Sequence, residues 1–442
     1  MEITLGYAIA LGGVLLIPLI INLLPCLPYL RPFTPTFLQQ VFKYLTYPYL
    51  VRRHRYLGPW TRADIIIQLV YIAGNSFCLG FRVSDIAKAG VRAGNLSLIN
   101  MIPLFLGPHL GFLADILGVS LSAFRLMHRS AGLMSSGLVL LHVLATLVSH
   151  TAFSLRGVTS LSAVVVSTLV ALRFSCEPTD MLQGGSSLGL IIVLSWSPLR
   201  RWFCEIFLRL HQILAAVVAI SALLHIPSTT LFPRLYFYIS LGIFIATSAI
   251  EGVLLSRHNG VFARVKDIKL PRVGEVFRYP GEDDNSPIQV TIIPQEPLKM
   301  DTGQYVNIYI PSLGVRSFIF IQSHPFVVAS WTGRLQTKLE LVIEPRRGWT
   351  RKLQSRAMTA SGQSGGLGRV LFTGPHGAIV PVVNYEYIFM VASSYGIVAQ
   401  LPLLERLVQG TLAREVRARR ICLVWEFEEI GESDFYKGCL PY

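Results

Sequence analysis

The stretch Leu126–Val148, LMHRSAGLMSSGLVLLHVLATLV, carries one histidine near each end of a run that is otherwise apolar enough for a membrane. These residues, His128 and His142, are fourteen positions apart. Fourteen helical residues rise about 21 Å and turn to within roughly 40° of the same face. The two imidazoles are therefore predicted to point into one helix bundle at two depths, and so to serve two separate sites.

The stretch LRLHQILAAVVAISALLHIPS, residues 208–228, repeats this arrangement with His211 and His225. If both helices cross in the same direction, His128 is level with His211, and His142 with His225. Two facing imidazoles are an axial ligand pair for a haem iron. Zinc would want a third or fourth ligand, and the sequence offers no Cys or carboxylate at either depth. A single such histidine is more often a boundary residue, but four at matched spacing favour two haem sites, because ionisable side chains inside spans are costly and usually functional.

The composition places the chain in a membrane. Of its 442 residues, 52% are apolar and only 14% are charged, and the charge lies mostly beyond Arg257. A seventh apolar segment, within 160–197, is interrupted by the polar stretch RFSCEPTDMLQGGSS. The sequence therefore predicts an α-helical membrane bundle of about seven spans. The other six apolar runs, each near the roughly 20 residues that a span requires, are 4–24, 64–83, 99–118, 129–152, 206–227 and 233–254.

The distribution of Lys and Arg predicts the orientation. The loop 31–63, the turn 119–128 and the start of the sixth span, with Arg200, Arg201 and Arg209, carry most of these residues in the first half, and cytoplasmic loops collect positive charge. With the first helix entering from outside, everything after about residue 257 lies in the cytosol. The opening MEITLGYAIALGG lacks a basic leading region and a clear cleavage site, so a retained helix is favoured over a signal peptide.

Other classes of protein are disfavoured. The net charge of +14 accompanies no basic stripe with interleaved aromatic residues, so no nucleic-acid partner is expected. The six cysteines show no C-x-x-C spacing, so neither a disulfide framework nor a zinc site is implied. The remaining histidines near span ends, His109 and His150, are expected to be structural.

Beyond about residue 260 the pattern changes to short alternating runs, separated by Gly, Pro and Asp clusters, which is typical of a small antiparallel β-barrel. The expected domains are a membrane bundle over 1–257, the barrel over 258–377 and a partial α/β domain over 378–442. The runs are VFARVKDIKL, IQVTIIP, QYVNIYIP, KLELVIEP and RVLFTGP.

The segments GQYVNIYIP and SHPFVVASW resemble the flavin-binding barrel of the ferric reductase and NADPH oxidase superfamily of flavocytochromes b. The two histidine-bearing helices resemble the paired haem ligands of that superfamily. The equal spacing in both helices and the segment RAGNLSLINMIPLFLG look more like fungal ferric reductases than superoxide-producing oxidases.

The resemblance implies that His324, Pro325 and Phe326 lie along an FAD and that Tyr305 belongs to the same pocket. The residues that follow, Val327 to Ser330, are expected beside the isoalloxazine ring. Many relatives have a hydroxyl residue where this chain has Val327, so any polar contact there must come from the backbone.

EPRRGWTRKL resembles the family segment that leads into a helix near the FAD pyrophosphate. Gly348 allows a close backbone approach, Thr350 can cap the helix, and a helix N-terminus favours phosphate. Arg346 and Arg347 fit a phosphate contact and a solvated surface charge equally well.

The part of the chain expected to bind the nucleotide begins with TGPHG, which resembles the family's G-P-[YH]-G turn. Gly374, Pro375 and Gly377 of this turn are expected to contact a cofactor. YIFMVASSYGIVAQLPLLERLV then reads as a strand, a tight turn and a helix, the opening of a doubly wound fold that binds a dinucleotide phosphate. Gly396 and Ile397 stay in register with relatives there. Ser393 and Ser394 replace glycine, so a side chain is expected to crowd the pyrophosphate.

The function implied by the resemblance is transmembrane electron transfer from cytosolic NADPH through FAD and two b-type haems. The expected acceptors are extracellular ferric or cupric chelates, and the expected setting is a multi-pass protein of the plasma membrane with a partner in high-affinity iron uptake. Two alternatives stay open. An NADPH oxidase that reduces dioxygen shares every motif, and a non-enzymatic di-haem membrane protein is suggested because the sequence stops at Tyr442, short of the remaining strands of a nucleotide-binding domain.

Overall fold

The computed structural model describes residues 3–23, 40–52, 59–107, 110–117, 119–150, 178–196, 199–200, 204–227, 229–259, 272–278, 287–310, 323–346, 348–360, 370–377, 379 and 382–426. The chain forms two compact units, Met1–Thr247 and Ser248–Tyr442. The expectations for His109, Arg347, the side chain of His150, the run VFARVKDIKL and residues 160–177 of the interrupted span lie outside the described residues.

Helices dominate the first unit. Four of the described helices are long and apolar enough to cross a membrane, over Arg62–Gly80, Leu121–Ser149, Ile206–His225 and Leu231–Arg257. Shorter apolar helical stretches occur at Ile3–Ile17 and Gly184–Leu194, so the larger number of seven spans remains a prediction. The helices are α1 (Ile3–Leu23), α2 (Arg62–Gly80), α3 (Ile86–Met101), α4 (Leu110–Leu117), α5 (Leu121–His150), α6 (Pro178–Leu194), α7 (Cys204–His225) and α8 (Leu231–His258); a short ribbon pairs β1 (Tyr49–Val51) with β2 (Trp60–Thr61).

The apolar run 99–118 is not one continuous span, contrary to the sequence prediction. Helix α3 ends at Met101, a 3₁₀ turn follows at Ile102–Leu104, and α4 begins only at Leu110. Pro103 lies in that turn, and proline lacks the N–H that a continuing helix would use. The hydropathy pattern therefore merged two helices into one span.

Residues 84–98 lie between the predicted spans 64–83 and 99–118, so a loop is expected there, but α3 occupies most of them. The Asp85 side chain caps this helix by accepting a hydrogen bond of 2.8 Å from the Lys88 backbone N–H. Lys88 and Arg92 had masked the helix in the hydropathy pattern. A second capping arrangement begins α2, where Thr61 and Asp64 each accept from the other's backbone N–H, which satisfies two otherwise unpaired donors.

Helix α3 packs closely against α5 through small residues. A Cβ built on Gly90 would lie 2.8 Å from the Ala145 Cβ, so these two backbones approach more closely than larger side chains would allow. The Ser135 hydroxyl donates across the same contact to the carbonyl of Ser97, at 3.2 Å. Small residues and interhelical hydrogen bonds are the usual means of helix association in membranes.

A closed polar cluster joins α1, α2 and α3. The hydroxyls of Tyr7 and Tyr71 both donate to Asn100 Oδ1, at 3.0 and 2.7 Å. Asn75 Nδ2 donates to the Tyr7 hydroxyl, and Asn100 Nδ2 donates to Asn75 Oδ1. Because these buried polar groups satisfy one another, the cluster holds the three helices in one arrangement without an unpaired amide.

The first part of the second unit consists of antiparallel strands, as expected. The described ladders give two three-stranded sheets, in the orders β3-β4-β9 and β10-β6-β7, and a ribbon of β5 with β8. Closure of these sheets into a barrel remains a prediction. The elements are β3 (Arg272–Arg278), β4 (Ile288–Ile293), β5 (Leu298–Lys299), β6 (Tyr305–Tyr309), β7 (His324–Val327), β8 (Leu335–Gln336), β9 (Leu339–Ile343), α9 (Trp349–Ala360) and β10 (Leu371–His376).

Alternate residues of these strands form one apolar core. In β4 and β9 every second side chain is buried, including Ile288, Ile292, Leu339 and Ile343, as the two-residue period of a strand requires. The residue after α8, Asn259, is tied to β10: its side-chain amide donates to the Phe372 carbonyl and accepts from the Phe372 N–H, at 2.9 and 3.1 Å.

The last described part is a parallel strand–helix–strand unit. It comprises β11 (Tyr387–Ser393), a 3₁₀ turn (Ser394–Ala399), α10 (Leu401–Leu412) and β12 (Arg420–Glu426). The two strands are hydrogen-bonded in parallel, from Tyr387 with Arg420 to Ser393 with Glu426. This connectivity is the opening of a doubly wound fold.

Candidate cofactor sites

The structure brings the four histidines of α5 and α7 together in two pairs. The ring centroids of His128 and His211 are 6.3 Å apart, with an interplanar angle of 60°. Those of His142 and His225 are 6.1 Å apart, with an angle of 70°. The two helices therefore run in the same direction, and each pair lies at its own level.

The residues of both pairs fit a haem iron. An imidazole nitrogen lies about 2 Å from a bound metal and roughly 1.2 Å from its own ring centre, so two rings on opposite sides of one metal have centroids about 6.4 Å apart. Both measured separations are close to this value. Among the described residues, no group of three or more His, Cys, Asp or Glu side chains forms a metal site. A metal at either level would therefore take its other ligands from a bound group such as a porphyrin.

The His142 ring is fixed by helix α3. Its Nδ1 lies 2.8 Å from the Gly90 carbonyl, and since a carbonyl can only accept, Nδ1 carries the proton and Nε2 keeps the lone pair that binds a metal. A Cβ built on Gly94 would lie 3.1 Å from the same Nδ1. Glycine at 94 thus leaves room for the ring in the orientation that the Gly90 carbonyl selects.

The His128 ring is supported differently. A Cβ built on Gly107 would lie 2.7 Å from His128 Cε1, so only glycine allows the ring this close to the backbone that follows α3. Nδ1 of His128 and Nδ1 of His211 are both buried without a hydrogen-bond partner within the described part of the chain. Phe207 packs on the His211 ring at 5.5 Å between centroids.

The predicted flavin residues lie on β6 and β7. Tyr305 pairs with Val327 in the ladder, and the next pairs include Phe326, Pro325 and His324 on β7. His324 and Phe326 are two residues apart, so they share one face of the strand, while Pro325 and Val327 share the other. The strand therefore presents two different surfaces, and only one of them carries the aromatic rings.

Trp349, the first residue of α9, lies against the aromatic face. Its ring stacks on His324 at 4.5 Å with an interplanar angle of 21°, and lies 5.8 Å from the Phe326 ring. Its side chain is only 3% exposed. The sequence had not singled out Trp349; its signal was a tryptophan directly after Gly348, which has φ +82°.

The Gly-Pro-His-Gly turn closes over Tyr305. Gly374 and Gly377 have φ of +135° and +100°, a region that strongly favours glycine. A Cβ on Gly374 would lie 3.1 Å from the Tyr305 carbonyl oxygen, and one on Gly377 would lie 3.4 Å from the Tyr305 ring. The His376 ring lies 5.4 Å from the Tyr305 ring. The two glycines, with Pro375 between them, therefore allow the turn to pack closely against Tyr305.

Two other predicted contact residues, Ser330 and Thr350, and the neighbouring Arg346 have structural partners. The Ser330 hydroxyl donates to Gln336 Oε1 and accepts from the Glu340 N–H, at 3.0 and 3.1 Å. The Thr350 hydroxyl accepts from the Arg346 N–H at 2.7 Å, which braces the turn before α9. The Arg346 guanidinium is exposed and pairs with Glu344 at 2.8 Å.

The turn after β11 keeps a glycine-like backbone despite its serines. Ser394 has φ +44°, and the Trp425 indole N–H donates to the Ser394 carbonyl at 3.1 Å. Gly396 is exposed, with open space where a Cβ would lie. The Ile397 side chain is 2% exposed and belongs to an apolar cluster with Ala392, so only its backbone is available to a ligand.

Two family comparisons match different parts of the chain. Residues 93–222, which include three of the four paired histidines, match the ferric reductase like transmembrane component, and residues 284–380 match an FAD-binding domain.

Individual proteins resemble the chain more distantly. Ferric/cupric reductase transmembrane component 2 of Saccharomyces cerevisiae is 24% identical over 85% of this chain and 52% of its own length. Ferric reductase transmembrane component 3 of the same yeast is 25% identical over 87% and 53%. The chain thus spans about half the length of these relatives. Among solved structures, ferredoxin-NADP+ reductase from Plasmodium falciparum is 15% identical, with a TM-score of 0.28, over 40% of this chain and 68% of that one.

The transmembrane match falls on the helices with paired histidines, the FAD-binding match falls on the strands with the His-Pro-Phe motif, and both yeast relatives extend across most of the chain. The chain is therefore similar to the ferric reductase family in both its transmembrane part and its FAD-binding part.

Proposed function

We propose that the protein moves electrons across a membrane, from a reduced nicotinamide dinucleotide on the cytosolic side to a ferric or cupric chelate on the other side. The observation that carries this proposal is the double pairing of histidines between α5 and α7, with ring centroids 6.3 and 6.1 Å apart. Flavin, when bound, would convert a two-electron hydride donor into single electrons, and two b-type haems would supply one-electron carriers.

In the membrane unit, the protein's own part is to hold and orient the ligands. His128 and His211 would hold the haem nearer the cytosol, and His142 and His225 the haem nearer the outside. The Gly90 carbonyl fixes the tautomer of His142, since it accepts from Nδ1 at 2.8 Å. The apolar helices keep water away from both levels.

In the cytosolic unit, the residues that would bind FAD are those of β6, β7, α9 and the Gly374–Gly377 turn. Stacking of Trp349 on His324 fixes the orientation of the His324 ring, which the family resemblance implies lies along the flavin. The α9 N-terminus, preceded by Gly348, offers backbone N–H groups to a pyrophosphate. The turn after β11, with Ser394 at positive φ, would take the nucleotide phosphates beside the N-terminus of α10.

The family resemblance adds finer expectations that belong to this proposal. They are NADPH as the donor, a ferric-chelate reductase activity, the plasma membrane as location, and a partner in high-affinity iron uptake. The curated relatives carry the names ferric and cupric reductase transmembrane components, which supports a metal acceptor over dioxygen.

A haem count is the first test of this proposal. The full chain, purified in detergent, should show the reduced-minus-oxidised spectrum of b-type haem with two haems per chain. One haem or none would contradict the pairing.

A second assay should compare ferric chelate, cupric chelate and dioxygen as acceptors after addition of a reduced nicotinamide dinucleotide. Faster oxidation by a chelate supports the proposal. Faster oxidation by dioxygen would favour an oxidase, and two haems without any nucleotide oxidation would favour a non-enzymatic di-haem protein.

A further inference from the structure

The carboxyl ends of β11 and β12 lie side by side. The parallel ladder ends with Ser393 opposite Glu426, and neighbouring strands are about 4.8 Å apart. In open α/β folds a dinucleotide binds at this edge, with its pyrophosphate at the first turn. A residue at the end of the second strand then meets the adenosine ribose. An acidic residue there accepts a hydrogen bond from the 2′-hydroxyl of NADH, whereas the 2′-phosphate of NADPH needs a cation.

Glu426 occupies that strand end in this protein. It is exposed and makes no ion pair with the described residues. The arginines of the strand–helix–strand unit are elsewhere. Arg406 of α10 pairs with Asp301, and the other four lie before β12 or at its first residue, at the opposite edge of the strand pair. Those four are Arg414, Arg417, Arg419 and Arg420.

The sequence after Glu426 does not offset the negative charge at this strand end. It continues with Glu428 and Glu429 and reaches no Lys or Arg before Lys437. A 2′-phosphate carries about −1.5 to −2 charges at pH 7, as other phosphomonoesters do. Bringing it next to an exposed carboxylate, with no arginine of this unit beside it, is electrostatically unfavourable, while a ribose hydroxyl gains a charge-assisted hydrogen bond.

We propose that Glu426 makes this protein select NADH over NADPH. The proposal rests on the proposed function, because it takes the β11 turn as the dinucleotide site, and it departs from the NADPH donor that the family resemblance implies. Glu426 is then a specificity-determining residue that acts on the adenosine end of the nucleotide, remote from the transferred hydride.

Binding of two nucleotide fragments tests the proposal without requiring turnover. Isothermal calorimetry on the purified full chain would compare ADP-ribose with 2′-phospho-ADP-ribose. The unaltered protein should bind ADP-ribose at least about tenfold more tightly, which corresponds to one charged hydrogen bond gained or lost. Glu426→Gln should remove most of this preference, and Glu426→Arg should reverse it. Glu415→Arg, the same charge change in the exposed segment before β12, should leave the ratio unchanged.

Each other result overturns the proposal. Equal or tighter binding of the 2′-phosphate fragment to the unaltered protein contradicts it directly. A ratio that Glu426→Arg leaves unchanged, or that Glu415→Arg shifts equally, means that the preference has another origin. If neither fragment binds, the turn is not a dinucleotide site and the inference fails with it. The haem count tests the proposed electron path separately. A chain that prefers ADP-ribose but holds fewer than two haems supports this inference, while the proposed electron path fails.

Discussion

The two histidine pairs have similar ring separations, but different contacts orient their rings. Each pair joins the same two helices, and their ring separations differ by only 0.2 Å, from 6.3 to 6.1 Å. His142, however, donates to the Gly90 carbonyl, whereas Nδ1 of His128 and Nδ1 of His211 have no partner among the described residues. One level is oriented by a hydrogen bond, and the other by packing against Gly107 and Phe207.

This difference shows that a repeated ligand spacing need not give two equivalent sites. A hydrogen bond from the outer nitrogen of a ligating imidazole orients the ring and raises its basicity. A more basic ligand stabilises the oxidised metal. We therefore expect a haem held by the His142 pair to have the lower midpoint potential.

Removal of one ligand should have the largest effect. We expect His142→Ala or His225→Ala to remove one haem per chain and leave the other, because each level depends on its own pair. His128→Ala or His211→Ala should remove the other haem. Pyridine haemochrome quantification with low-temperature spectra measures this. Loss of both haems from a single change, or of neither, would contradict two independent levels.

A methyl group at position 107 should perturb only the His128 level. Its Cβ would lie 2.7 Å from the His128 ring, so the ring must tilt, and we expect haem retention at this level to fall about tenfold or more, as for lost supporting contacts at metal sites. Gly137→Ala is the matched control, since nothing lies within 4 Å of its added Cβ. If Gly107→Ala behaved like the control, packing would not orient this ring.

Gly94→Ala should have a smaller effect, and it should act on the His142 pair. The added Cβ would lie 3.1 Å from His142 Nδ1, a contact that a small shift of the ring relieves while stretching its hydrogen bond to the Gly90 carbonyl. We expect both haems to remain and the lower midpoint potential to rise. A spectroelectrochemical titration measures both potentials, and a change confined to the higher one would show that the hydrogen bond does not set the difference.

A change in the flavin-binding half should leave both histidine pairs unaffected. Trp349→Phe keeps an aromatic ring against His324, whereas Trp349→Leu removes the stacking, worth about 0.5–1.5 kcal/mol. We expect FAD affinity to fall roughly three- to tenfold for leucine and less for phenylalanine, with both midpoint potentials unchanged. Fluorescence titration of FAD into the stripped protein gives the affinity. Equal losses for both variants would mean that Trp349 supports the fold rather than the stacked histidine.

The structure differs from the hydropathy pattern where features that hydropathy does not encode decide the fold. Helix α3 was missed because Lys88 and Arg92 lower its hydropathy, although Asp85 caps it. Hydropathy alone predicts one span over 99–118, although a turn that contains Pro103 interrupts it. In the flavin-binding half, the antiparallel strands were predicted correctly, because their two-residue alternation is written directly in the sequence.

The sequence by itself determined the two levels of histidines, since a helix has a fixed rise and turn per residue and fourteen residues repeat nearly the same face. The order of its motifs also indicated the similarity to ferric reductases, which the two family matches support. Only the tertiary structure decided which backbone carbonyl meets His142, which ring stacks on His324 and which residue ends the strand beside Ser393. Those contacts join residues from 25 to 52 positions apart, and no local pattern specifies them because they depend on how separate elements pack.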